Sequence, residues 1–226
     1  MDDSTGKSFA AALRPTAFLD SASPQVAALV ERVAPSGSGS AKERAIRLYY
    51  AVRDEIRYDP YALDLRPEAF TASACLKAGT GFCITKSVVL GAAARAIGVP
   101  AKLGFADVRN HLATPRLLEL MGTDVFYFHG YTSLYLDGQW VKATAAFNLS
   151  LCERFGVLPL DFDGSGDSVF HPFDTEGRKH MEYLHDRGLY DDLPFEEIVA
   201  CFRRSYPRLL KGPGGDFHAE AAAGGA

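Results

Sequence analysis

Four things are scarce in this sequence: long apolar runs, surplus basic charge, closely spaced cysteines and tryptophan. No run approaches the length of a membrane span, so nothing in it reads as an anchor. The 24 basic and 28 acidic side chains leave a net charge of −4, which offers no general attraction to nucleic acid or to an anionic membrane. Of the four cysteines, Cys75, Cys83, Cys152 and Cys201, no two stand at Cys-x-x-Cys spacing. That argues against a zinc knuckle and against a disulfide framework. The acidic start, Met1-Asp2-Asp3-Ser4, has no apolar signal core. The expected setting is a reducing cytoplasm in which free thiols persist.

What is present fits one globular domain. Residues 1–20 read as a flexible arm, 21–210 as the folded domain, and the Gly- and Ala-rich 211–226 as a disordered tail. Ser23-Pro24 opens a helix to Val33, and Ser40 with Glu43 forms a capping box ahead of a second helix. Thr71 caps a short helix that Gly79 stops, and Thr114-Pro115 starts another, closed by Gly122. Asp137-Gly138 is a two-residue hairpin signal between strands at about 125–136 and 139–144. A further strand is expected over 101–108, with helices at 148–155, 178–187 and 194–206. Helices first and an antiparallel section after them indicate an α+β fold.

Thr80-Gly81-Phe82-Cys83 delivers a cysteine to the first turn of the helix that runs to Ile97. Unpaired N–H groups and the positive end of the helix dipole face that sulfur, and both favour thiolate, lowering the pKa from ~8.5. A nucleophilic cysteine needs a base, and the base an orienting partner. Of the six histidines, His218 falls in the tail, His180 and His185 on the predicted surface helix, and His171 in a loop before Pro172. His111 and His129 remain. With Asp137-Gly138 as the tip, Leu136 pairs with Gln139 and Tyr131 lies opposite Thr144, which makes Thr144 the diagonal neighbour of His129. A hydroxyl there is placed to orient an imidazole.

Gly81-Phe82-Cys83, the helix end Gly98-Val99-Pro100-Ala101-Lys102, and His129 followed by Tyr135-Leu136-Asp137-Gly138-Gln139-Trp140-Val141 resemble the transglutaminase-like superfamily over roughly residues 48–148. The resemblance implies a papain-like α+β core with the cysteine helix packed on an antiparallel sheet and extra C-terminal helices. It also implies acyl chemistry through a thioester, hydrolysis or transamidation, with Cys83 as nucleophile and His129 as base. The chain departs from the family where Thr144 replaces the usual Asp. A hydroxyl can orient the ring but brings no charge, and Asn148 is an alternative orienter. Two other readings stay open: an impaired domain that binds a peptide or partner, and an amide-forming enzyme of small-molecule biosynthesis.

No cofactor or metal is required, and the expected partner is a peptide, amide or small acyl substrate. Cys75, Cys152 and Cys201 sit in apolar patterns and read as inert buried thiols. The acidic loop 161–167 imitates a calcium loop but has Pro172 where a glutamate would be needed. Asp107, Arg109, Asn110 and His111 form a polar cluster, a turn or a grip on a substrate's polar end. Tyr127, Tyr131, Tyr135 and Trp140 are candidate cleft walls. The Cys83 N–H is the best oxyanion donor.

Overall fold

The computed structural model describes residues 9–111, 113–169, 174, 176–178, 180–211 and 214–223. His171 and Pro172 lie outside them. In chain order the elements are α1 (Pro24–Val33), α2 (Ala41–Glu55), β1 (Arg57–Tyr58), a 3-10 turn (Pro67–Phe70), α3 (Ala72–Ala78), β2 (Thr80–Gly81) and α4 (Cys83–Ala96). Then follow β3 (Ala101–Asn110), α5 (Pro115–Met121), β4 (Val125–Leu136), β5 (Gln139–Ala143), α6 (Leu149–Phe155), β6 (Met181–Tyr190), α7 (Phe195–Ser205) and α8 (Phe217–Ala223).

The caps explain the helix boundaries. Ser23, Ser40, Thr71 and Thr114 each accept an N–H from the first turn, and Glu43 closes the Ser40 box by returning to the Ser40 N–H. Gly79 and Gly122 end their helices at φ 65 and 70, a left-handed conformation that costs glycine little.

The main sheet has the order β5-β4-β3-β6 and is antiparallel throughout. Leu136 pairs with Gln139 and Thr132 with Ala143 across the Asp137-Gly138 turn, the register expected from the sequence. One face of the sheet carries α4. Thr132 donates its hydroxyl to the Ser87 carbonyl, and Gly91 closes on Leu19, Leu103 and Thr132. From Cys83 to Arg95 every residue of α4 is buried. It is a core helix covered on every side, with its buried Lys86 and Arg95 bonded to backbone carbonyls, so its position is fixed by packing all round.

Three expectations change. Residues 181–190 form an edge strand, not a helix: Met181 to Tyr190 pair with Asn110 to Leu103, with irregularities at Leu184 and Arg187. Pairing along β3 outweighs the helix-forming composition of that stretch. The arm is docked from residue 9 onward. Leu19 is fully buried, the Ala12 carbonyl accepts the Ala101 N–H, and Phe9 packs on Tyr135 and Trp140. The described tail residues 214–223 are docked too. Phe217 packs against Tyr58, Tyr61 and Phe155, while Glu220 accepts hydrogen bonds from Tyr61 and Thr114. A few anchoring side chains hold segments whose average composition reads as disorder.

Candidate active site

Cys83 is the first residue of α4, and Phe82 is its N-cap. The Phe82 N–H is taken by the Thr85 hydroxyl at 3.1 Å, which fixes the entry angle of the chain. Around the sulfur lie the backbone N–H groups of Gly130, Ile84 and Cys83 itself. The Gly130 contact follows from sheet register. β5 accompanies β4 only as far as Thr132↔Ala143, so the next N–H facing that edge, Gly130, is left open by β5 and acts on the Cys83 sulfur. Glycine is needed for the approach. A Cβ at 130 would stand 3.1 Å from both the Cys83 carbonyl oxygen and Ile84 Cα.

The residue beside that contact is His129, paired with Ala106 and 3 % exposed. Immediately before it β4 carries a bulge: the register with β3 shifts between Ala106 and Val108, and Phe128 sits at φ 54. A phenylalanine in the left-handed region is strained, and a specific lock holds it. Asp107 accepts the Phe128 N–H at 3.1 Å and both Arg187 nitrogens at 2.6 and 2.8 Å, and the guanidinium lies 4.0 Å over the Phe128 ring. Bulges re-aim the side chain that follows them. Here that side chain is His129.

Thr144 follows β5 and is buried. Its N–H donates to the Ser168 carbonyl and its carbonyl accepts the Tyr49 hydroxyl, but its own hydroxyl makes no hydrogen bond among the described residues. It therefore makes no direct orienting bond to His129. Asn148, the alternative, is committed elsewhere: its oxygen accepts the Tyr58 N–H, and its nitrogen donates to the Arg53 and Ile56 carbonyls. The same two carbonyls receive the Lys86 ammonium at 2.9 and 2.7 Å. Asn148 is a structural cap on the end of α2.

The titration behaviour departs from the expectation for a helix N-terminus. Burial pushes the Cys83 thiol up to about 11, more than the three N–H groups pull it down. His129 is pushed down to about 3 by burial, with a smaller push from His180. Desolvation exceeds the helix-end effect because removing a charge from water costs more than the end of one helix returns. Both shifts run toward the neutral forms, thiol and imidazole.

One side of the sulfur opens on a cleft of ≈40 Å³ whose wall includes Cys83, Tyr58, Leu117, Met121, Tyr127 and Phe202. Of the four aromatic residues considered as walls, only Tyr127 lines it. Tyr131 lines a different hollow, and Tyr135 and Trp140 are covered by Phe9. The polar cluster at the end of β3 resolves into ion pairs, Asp107 with Arg187 and Arg109 with Asp124 and Glu182. His111 lies 3.4 Å from Glu182. The acidic loop is turn chemistry, with Asp163 accepting the Ser165 N–H and Asp167 the Lys142 N–H. Among the described residues no group of three His, Cys, Asp or Glu side chains could hold a metal, and no helix is long and apolar enough to cross a membrane.

Sequence reasoning missed three buried residues of this region. Gly130 was legible only by combining hairpin register with the end of β5. Tyr58 is buried against the cleft, and its hydroxyl proton is held well above the usual range by burial and then by the neighbouring Cys83. His180 is buried ahead of β6 rather than exposed on a helix.

Residues 27–145 match the family described as the transglutaminase-like superfamily. Among solved structures, the chain is similar to a candidate cysteine protease from Cytophaga hutchinsonii, at 14% identity and a TM-score of 0.48. The likeness covers 81% of this chain and 64% of that one. No curated protein matches.

Proposed function

The chain belongs to the transglutaminase-like superfamily, and from that premise we propose that it is a cysteine-dependent acyl-transfer enzyme with Cys83 as nucleophile and His129 as base. The observation that carries the reading is the surroundings of one sulfur. A buried cysteine at a helix start faces three backbone N–H groups, has an open cleft on one side, and has a buried histidine one residue from its nearest strand contact.

Because both shifts run toward the neutral forms, attack and proton transfer are coupled. The thiol proton passes to His129 as the sulfur–carbon bond forms at an amide, peptide or ester carbonyl. The carbonyl oxygen gains the negative charge, and N–H groups that face the resting sulfur can turn to that oxygen. Collapse breaks the bond to the leaving group, which departs with the proton from His129. Water gives hydrolysis of the thioester, and an amine gives transfer. Thr144, buried just past the end of β5, is the proposed orienting residue. With its hydroxyl not bonded to the imidazole at rest, it would act only once the ring is charged.

The test is mass spectrometry of the protein incubated with activated esters and amides. An acyl adduct on Cys83, absent in Cys83→Ala, is the expected result. Turnover that survives Cys83→Ala would sink the proposal. A second reading, a catalytically impaired domain that binds a peptide or partner, is favoured by the Thr144 hydroxyl and by the directions of the two pKa shifts. A domain of that kind would bind acyl compounds without labelling Cys83.

A further inference from the structure

Resting on the acyl-transfer reading, we infer that the cleft beside Cys83 is the pocket for the acyl side chain, and that the substrate carries a short, uncharged apolar group next to the carbonyl that is attacked. The wall is built from Leu63, Leu117, Met121, Phe126, Phe202 and Leu209, with the rings of Tyr58, Tyr127 and Tyr206 between them. No charged side chain lines it. Even the polar end of Tyr206 is occupied by the strand: its hydroxyl donates to the Val125 carbonyl at 2.9 Å and accepts the Tyr127 N–H at 2.6 Å. A charged acyl chain would lose its water there with no opposite charge to receive it. A methylene loses nothing.

Size sharpens the class. The cleft offers ≈40 Å³, where one water needs roughly 10–15 Å³ of such space, so it takes on the order of three heavy atoms. That suits an acyl group of butyryl length. Cys83 forms part of the same wall, so a group seated in the cleft holds its carbonyl against the sulfur, and binding is converted into orientation.

The test compares N-acetylcysteamine thioesters of acetate, butyrate, octanoate and succinate on the full chain, reading acyl-Cys83 formation by mass spectrometry. From acetyl to butyryl the rate should rise roughly fourfold per methylene and then fall at octanoyl. Succinyl, which replaces the terminal methyl of butyryl by a carboxylate, should react at least ~100-fold more slowly than butyryl. In Met121→Ala the enlarged cleft should move the optimum toward octanoyl. A thermal melt checks that this variant is folded; if it is not, the wild-type series decides alone. Succinyl reacting as fast as butyryl, or an optimum at octanoyl in the wild type, overturns the inference and leaves the acyl-transfer reading standing. No adduct on Cys83 with any thioester overturns both.

Discussion

β4 contributes to two hollows that differ in almost every respect. The cleft at Cys83 is small, ≈40 Å³, and apolar. The other measures ≈340 Å³ and is lined by Tyr131, Lys142, Asp167, Tyr183, His185 and Asp186. By volume and charge the second is the more inviting site, yet no cysteine lines it. The ring of Tyr131 lies across Gly104 on the strand opposite, and Lys142 stands 5.0 Å over that ring, so the side chains there are occupied with one another. The proposed nucleophile sits where sheet pairing stops: β5 ends, one N–H is left over, and a helix start fills the gap. An unfinished ladder, more than a large hollow, marks the candidate site.

That comparison can be broken in five ways, from the largest expected effect to the smallest. With the thiol pushed up to about 11, iodoacetamide labelling of Cys83 should climb about tenfold per pH unit from pH 7 to 10. A plateau near pH 6 would instead reveal a thiolate–imidazolium pair. Gly130→Ala forces β4 and the start of α4 apart, and should slow Cys83 acylation at least ~30-fold while costing about 1–3 kcal/mol in urea denaturation. Asp107→Ala strands Arg187 and frees Phe128, so we expect ~10-fold slower acylation and a loss of about 2–4 kcal/mol. If only stability falls, the bulge does not aim His129.

The fourth test concerns Lys86, one turn along the same helix, which burial pushes down to about 7. The unfolded chain titrates this group near 10.4, so between those values it holds the proton that the folded chain has released. Stability should therefore rise with pH from about 7. Cys83 gives the opposite slope only once its unfolded thiol titrates, above about 8.5. Denaturation measured between pH 7 and 8.5 should slope upward in the wild type and be flatter in Lys86→Met. Equal slopes would mean the ammonium stays charged between its two carbonyls. The smallest effect belongs to the large hollow: Lys142→Ala should change Cys83 acylation by less than about threefold. A loss as great as that of Gly130→Ala would make the two hollows parts of one site.

The sequence was most legible where local chemistry decides structure. Ser40 with Glu43, Thr114 with Gly122, and Asp137-Gly138 each act within a few residues, and each appears where expected. The family pattern across Gly81–Cys83, Gly98–Lys102 and His129–Val141 carried the fold. Legibility failed where distant segments decide. Whether 181–190 is a strand depends on β3, about 80 residues earlier in the chain. Whether Cys83 is acidified depends on how completely it is buried, which helix position does not encode. His180 carried no signal at all, because its burial results from chain closure.

The docked tail ties two distant parts of the chain together. Phe217 rests on Tyr58, His218 Nε2 lies 2.9 Å from the Tyr58 carbonyl, and Arg57 pairs with Asp216 at 2.9 Å. These partners are separated by about 160 residues. Tyr58 also lines the cleft at Cys83, so the shape of that cleft is coupled to contacts made far along the chain, and loosening the tail would loosen one wall while leaving the α4–sheet packing in place.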